Sequence, residues 1–291
     1  MNIIYYNGQY LPEDQPCISP LDRGFIFGDG IYEVIPAYNS HLFRINEHLQ
    51  RLDNNLKHVG IDPPMTSEVW QTVLNELVTR NGGGDQSVYL QVTRGVARRD
   101  HGFPSDTKPT VFAMTSPLQA VSEDIRKHGV SAITLEDIRW KYCHIKTIAL
   151  LPNILLRQQA LDTGAVEAIL IRDGSITEGA ASNVFIVQKN TIVTPPKGPL
   201  LLPGITRDLV LELARASELP CREDTITPDE LHQADEIWLT SSTKEILPVT
   251  RLDDHAVGDG KPGPYWQQMI GIYQEYKQHY PADTRRAASS A

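Results

Sequence analysis

Apolar residues at Ile45, Leu49, Leu52, Leu56 and Val59 recur at helical spacing, which predicts an amphipathic helix over 45–59 with Asn46 as its cap. Trp70, Val73, Leu74, Leu77 and Val78 repeat the pattern and stop before Gly82-Gly83-Gly84. Shorter apolar runs at 2–6, Ile31–Ala37, Ser87–Thr93 and Thr110–Thr115 read as strands, so the first part of the chain is mixed α+β. Regular pattern lapses near Ser116-Pro117-Leu118-Gln119-Ala120, a soft boundary. Beyond it, strands are predicted at Val130–Leu135, Ala168–Arg172, Asn183–Val187 and Glu236–Thr240. Helices are predicted at 153–163, stopped by Gly164, at 206–218, stopped by Pro220, and at about 265–278. Asp173-Gly174, between two apolar runs, signals a tight hairpin. The end of the chain is small and polar, and 283–291 is expected to fray as a tail.

Composition narrows the function classes. With 291 residues there is enough chain for a sizeable core, and 22% charged with 41% hydrophobic residues is ordinary for a globular protein. A net charge of −9 argues against a general nucleic-acid binder but leaves room for an anionic ligand in a locally basic pocket. Cys17, Cys143 and Cys221 are widely spaced and odd in number, which fits neither a metal site nor a disulfide framework and suggests a reducing compartment. The opening Met1-Asn2-Ile3-Ile4-Tyr5-Tyr6 has no basic n-region, and no apolar stretch approaches ~18 residues, so a cytoplasmic protein is expected. His41 with His48, and His101 with His144, lack compact ligand spacing, and no metal is expected. There is neither a Gly-x-Gly-x-x-Gly turn after a strand nor a Walker loop, so a nucleotide cofactor is unsupported.

Two segments carry chemistry. Lys146 follows Ile145 and precedes Thr147-Ile148-Ala149-Leu150-Leu151, and these apolar neighbours predict a buried amine, in which the neutral nucleophilic form is favoured. Glu178 lies in Thr177-Glu178-Gly179-Ala180-Ala181-Ser182-Asn183, a segment with few other charges. Taken alone, each has an ordinary explanation as a solvated lysine at a strand end and a bridging glutamate. Together, an amine able to form a Schiff base and a carboxylate able to hold a pyridine nitrogen protonated are the minimum a protein adds to pyridoxal phosphate (PLP). Pro203-Gly204-Ile205-Thr206-Arg207-Asp208 adds a glycine turn opening an amphipathic helix, a natural anion site, although such turns are also common without one.

With Gly28–Glu33 and Asp137–Trp140, these segments resemble the fold-type IV PLP aminotransferases, most closely the D-amino acid aminotransferases. The resemblance runs from Tyr6-Asn7-Gly8 to about Gly260-Lys261. It implies a two-domain α+β chain: a smaller N-terminal domain at 1–118, a linker at 119–123 and a larger PLP-binding domain at 124–282, with the cofactor at the domain interface. Lys146 is then the catalytic lysine and Glu178 the partner of the pyridine nitrogen. Ile205, Thr206, Ser241, Ser242 and Arg51 would bind the cofactor phosphate. Periodicity by itself places Arg51 about 110° from the centre of the apolar stripe, which reads as solvated. Tyr32, Arg99 and His101 would trap the substrate α-carboxylate, Arg99 and His101 as two strand-end basic groups two residues apart that can point the same way; on residue pattern alone, Arg98-Arg99-Asp100-His101 reads as an exposed polar loop.

The implied reaction moves an amino group from a D-amino acid, D-alanine or D-glutamate, to 2-oxoglutarate or pyruvate, in a homodimer whose loops reach between subunits. Geometry explains why the trap would set handedness. The substrate nitrogen is fixed to the cofactor and its Cα–H faces Lys146, so exchanging the pockets for carboxylate and side chain inverts the accepted enantiomer. A branched-chain L-amino acid aminotransferase shares the lysine, the glutamate and the Gly-Ile-Thr turn, and Arg99-x-His101 argues against it. An aminodeoxychorismate lyase is matched less well, and intact Lys146 and Glu178 argue against a non-catalytic binder. Ala180-Ala181-Ser182, in place of a serine-rich run, and Tyr142-Cys143-His144 depart from the family pattern.

Overall fold

Along Gln86–Thr93 the side chains alternate between buried and half-buried, so one face of this strand belongs to a core and the other does not. The structure, a computed structural model, describes residues 2–289, with 281–289 as backbone only. The chain divides into two units, Met1–Gln119 with Ile145–Leu150, and Ala120–His144 with Leu151–Ala291. The short segment 145–150 therefore joins the first unit and not the C-terminal half in which the sequence placed it.

The first unit holds β1 (Ile3–Tyr6), β2 (Gln9–Pro12), α1 (Arg23–Phe27), β3 (Gly30–Tyr38), β4 (His41–Leu42), α2 (Ile45–His58), α3 (Ser67–Arg80), β5 (Gln86–Thr93) and β6 (Thr110–Pro117). Its strands form an antiparallel sheet in the order β2-β1-β6-β5-β3-β4. Helices α2 and α3 cover one face, and Leu49, Leu52 and Leu56 are no more than 2% exposed against Ile31, Ile35 and Val88. Burying each leucine contributes roughly 1.5–3 kcal/mol. The predicted cap Asn46 lies inside α2, whose N-cap is Arg44 in the left-handed region (φ 54°). Arg51 sits on the buried face of α2, against the solvated position that periodicity predicts.

Segment 145–150 is laid along β3. Thr147 bridges Ile31, the Tyr32 N–H donates to the Lys146 carbonyl at 3.0 Å, and the Ile148 N–H donates to the Gly30 carbonyl at 3.1 Å. Ile145 joins the core of this unit, which explains the assignment physically.

The second unit contains α4 (Glu123–His128), β7 (Val130–Glu136), α5 (Leu151–Asp162), β8 (Glu167–Arg172), β9 (Ser175–Gly179), β10 (Asn183–Gln188), β11 (Thr191–Thr194), α6 (Ile205–Ala216), β12 (Cys221–Glu223), α7 (Pro228–His232), β13 (Glu236–Ser241), β14 (Glu245–Leu252), β15 (His255–Ala256) and α8 (Pro264–Ser289). Its mixed sheet runs β12-β11-β10-β13-β14-β7-β8-β9, with β15 on β14. The hairpin signalled by Asp173-Gly174 joins β8 to β9. Both turn residues have positive φ (49° and 73°), the type I′ geometry that matches strand twist.

Strand β14 is not predicted by the residue pattern, because its Pro248 lacks a ladder donor and interrupts the strand signal. Helix α8 continues to Ser289, so most of the stretch expected to fray is helical backbone; residues 290–291 lie outside the described residues. Among the described residues no helix is long and apolar enough to cross a membrane.

Candidate active site

Strand alternation sends Tyr32 and Glu33 to opposite faces of β3. Tyr32 lies with Lys146, whose Nζ is 4.2 Å from the centre of its ring. Lys146 is half-buried, more open than its apolar neighbours predict. Tyr32 also stacks on Tyr89 at 5.7 Å between ring centres, and burial beside the Tyr32 phenol pushes Tyr89 up to about 12. A cavity of about 590 Å³ is lined by Tyr89, Gln91, Phe112, Ile148, Leu150 and Phe25, among others.

Glu33, fully buried, holds the α2 side of the strand. Its Oε1 accepts Arg51 Nε, and its Oε2 accepts Arg51 Nη2 and pairs with His48 Nδ1, each at 2.8 Å. Burial by itself would raise the Glu33 carboxyl. The Arg51 charge and the bonds from Arg51 and His48 outweigh it and hold the group well below the usual carboxylate range. Burial also lowers His48, although Glu33 pulls the other way. Neither Glu33 nor His48 was among the predicted site residues. The signal available was an i, i+3 pair, His48 and Arg51, on a helix whose apolar stripe faces a strand carrying a lone acid.

Arg99 and His101 are both exposed, in an irregular stretch beyond β5 and not at a strand end. They meet around Phe27: the Arg99 Cζ and the His101 ring centre each lie 5.5 Å from the centre of that ring. Among the described residues, neither has a hydrogen bond, ion pair or ring contact with Tyr32 or Lys146. The structure thus groups Tyr32 with Lys146 and, separately, Arg99 with His101.

In the second unit, Glu178 on β9 is buried within a charge network whose other members come from outside its own charge-poor segment. Its Oε1 accepts Arg139 Nη1, and its Oε2 accepts the Leu202 N–H at 3.0 Å and Asn183 Nδ2 at 3.2 Å. Arg139 also forks onto Asp137 at 2.9 and 2.8 Å, and Arg172 reaches Asp137 at 2.9 Å. Burial dominates and pushes Glu178 up to about 7, with the Arg139 charge opposing it in part. Nothing in local sequence pairs Glu178 with Arg139, because the two meet only once β9 and the segment following β7 are folded.

Asn183 connects this carboxylate to the glycine turn. Its Nδ2 donates to Glu178 and to the Leu202 carbonyl (2.8 Å), and its Oδ1 occupies the space a Cβ on Gly204 would need. Gly204 is the N-cap of α6 and offers no side-chain cap, so the first-turn N–H groups, those of Ile205 and Thr206 among them, have no capping side chain. In register with Asn183 on β13 is Thr240, followed by half-buried Ser241 and Ser242. Arg207 is turned away onto Asp208, Pro195 and Glu223. Ser182 donates to Glu167 at 3.0 Å, so the hydroxyl kept in the Ala180-Ala181-Ser182 departure is not directed at Glu178.

These donors suit pyridoxal phosphate. A buried carboxylate fits a pyridinium nitrogen; an uncapped helix start with adjacent serines fits a phosphate. Thr240 Oγ1, buried and without a hydrogen-bond partner among the described residues, is a further polar atom at this end of the sheet.

Comparison with known proteins agrees. Residues 30–252 match the Amino-transferase class IV family. The chain is 43% identical over 261 residues to a D-alanine aminotransferase of Bacillus licheniformis, covering 90% of this chain and 92% of that protein. It is 37% identical over 277 residues to a D-alanine aminotransferase of Staphylococcus haemolyticus, covering 95% and 98%. Among solved structures, a T.th. branched-chain amino acid aminotransferase with pyridoxamine 5'-phosphate is similar with a TM-score of 0.89 at 26% identity, covering 94% of this chain and 93% of that one. The two-unit α+β architecture is that of fold-type IV, and the chain belongs to the class IV aminotransferases.

Proposed function

We propose that this protein transfers amino groups from D-amino acids of the D-alanine and D-glutamate type to 2-oxo acids such as 2-oxoglutarate or pyruvate, with pyridoxal phosphate as cofactor. The observation that carries the reaction class is the setting of Glu178, buried, bonded by Arg139, and tied through Asn183 to the open start of α6. The D-series is supported by the near-full-length similarity to D-alanine aminotransferases together with Arg99 and His101.

When bound, the cofactor supplies an aldehyde that takes up the substrate nitrogen and a ring that withdraws electrons from the substrate Cα. Lys146 would hold it through Nζ, and the same amine would take the proton from the substrate Cα. Glu178 would keep a proton on the pyridine nitrogen. The N–H groups of Ile205 and Thr206, with Ser241 and Ser242, hold the phosphate, and Arg51, aimed by Glu33, adds positive charge. Tyr32, Arg99 and His101 bind the substrate carboxylate and so fix which enantiomer presents its Cα–H to Lys146.

Arg99 and His101 are exposed and keep apart from Tyr32 in their own chain, which supports a homodimer in which this loop serves the partner's site. Three free cysteines fit a reducing, cytoplasmic setting. The resemblance to the branched-chain enzyme makes an L-specific aminotransferase the second reading. Rapid mixing of the cofactor-loaded protein with D- or L-alanine separates the two. Bleaching of the cofactor's visible absorbance by D-alanine is expected. Bleaching by L-alanine alone would favour the branched-chain reaction, and bleaching by neither would point to a lyase or a binder.

A further inference from the structure

The loop bearing Arg99 and His101 has no regular structure, yet one buried guanidinium holds it on both sides of His101. Arg23 Nη1 donates to the Asp100 carbonyl at 2.6 Å and to the Gly102 carbonyl at 3.3 Å. Arg23 is in turn fixed by Asp29, whose Oδ2 accepts its Nε at 2.7 Å. The same carboxylate takes a second buried arginine, Arg94, through Nε at 2.8 Å and Nη2 at 3.0 Å. Arg94 donates onward to the Gly60 and Val59 carbonyls, each at 2.8 Å, and its Cζ lies 3.7 Å from the centre of the Phe103 ring. Asp100 closes the loop locally by accepting the Gly102 N–H at 2.9 Å.

A third anchor is Phe27, at the end of the helix that Arg23 begins. The Arg23 Cζ is 4.8 Å from its ring centre, and Arg99 and His101 rest on the same ring. Arg23 and Arg94 have side chains only 5% and 7% exposed, while the loop they grip is exposed. A loop this exposed would otherwise sample many conformations, and misplacing a binding group by about 1 Å is enough to cost a large factor in turnover.

We propose that Arg23, locked to Asp29 beside Arg94, is a positioning residue that sets the Arg99–His101 segment for the substrate carboxylate. It touches no substrate and acts through the loop. The inference rests on the reading of Arg99 and His101 as the carboxylate trap. Arg23→Met removes the clamp while Asp29 keeps Arg94, and Arg23→Lys keeps a cation without the planar fork that presents Nε to Asp29 and Nη1 to the two carbonyls.

The test uses cofactor-loaded protein and D-alanine. The expected result for R23M is a KM raised about ten- to a hundredfold, with cofactor absorbance and melting midpoint little changed. R23K should fall between R23M and the unaltered protein. Hydrogen exchange at residues 98–103 should speed up in R23M. In an Arg99→Ala background, R23M should add almost nothing, because both changes act through one loop. An unchanged KM, unchanged exchange, or a full additional loss in the R99A background would each overturn the proposal. Should the unaltered protein fail to turn over D-alanine, the D-amino acid reading fails instead, and hydrogen exchange still decides whether Arg23 holds the loop. If R23M does not fold, R23K alone decides by the same measures.

Discussion

Replacing Glu33 with Gln tests how much the buried Glu33–His48–Arg51 cluster holds the first unit together. Glu33 is 0% and Arg51 8% exposed, and two parallel N–H···O bonds of 2.8 Å join them. Glutamine keeps the shape but leaves the guanidinium without its counter-charge in a poorly solvated place. Breaking one partner of such a pair costs about 3–5 kcal/mol, whereas removing both in an apolar double replacement comes close to neutral. Urea unfolding of the cofactor-loaded protein at neutral pH should therefore show E33Q destabilised by about 3–5 kcal/mol, with Glu33→Leu/Arg51→Met less affected than E33Q. The pH dependence carries the same signature. Glu33 is depressed in the fold, so its contribution is present above its ordinary value of 4.5 and fades as pH falls below it. His48 is depressed as well, so its contribution fades below its ordinary 6.5. E33Q should keep the His48 slope and lose only Glu33's share of the acid limb near 4.5, because Asp29 and Asp137, also held below the usual carboxylate range, keep theirs. A loss below about 1 kcal/mol for E33Q, the size expected of an exposed pair, would refute the reasoning, as would a double variant as unstable as the single.

Changing Lys146 to Ala should abolish turnover, and near-normal activity in that variant would overturn the assignment of the amine. Subunit complementation tests the dimer: K146A and R99A, each nearly inactive alone, should together regain about a quarter of the original activity after statistical mixing of protomers, while no recovery would place the trap within one chain. Glu178 is raised from 4.5 to about 7 in the fold, so its carboxyl favours the cofactor-free protein below 4.5 and loses that contribution as pH rises toward 7. A bound pyridinium would favour the carboxylate, so the gap in melting midpoint between loaded and cofactor-free protein should widen from pH 5 to pH 8, and Glu178→Gln should flatten it.

Elements with strong periodicity were legible in the sequence: the stripes of α2 and α3, the alternation of β5, and the Asp173-Gly174 turn between β8 and β9. β14 was hidden by Pro248, and β11 and β12 are too short to show a period. The site was legible only through the family pattern around Lys146, Glu178 and Gly204. Residues that aim those groups were not, because each partnership is made in three dimensions. Arg51 reads as solvated until Glu33 is placed opposite it, and Glu178 looks isolated until Arg139 folds back onto it. Asn183 looked like an ordinary strand start, and its role emerges from filling the space beside Gly204.

The strip 145–150 clipped along β3 has a consequence for dissecting the molecule. A cut between residues 119 and 120 would sever the first sheet from the six-residue strip whose Lys146 carbonyl accepts from Tyr32 and whose Ile148 N–H donates to Gly30, and would strand Lys146 on the fragment that does not contain Tyr32. Neither piece would then hold the amine against its ring, so an autonomous N-terminal fragment must carry residues 145–150 grafted back onto it, and a circular permutant opened between Gln119 and Ala120, ahead of α4 and β7, should tolerate the break far better than one opened within the strip.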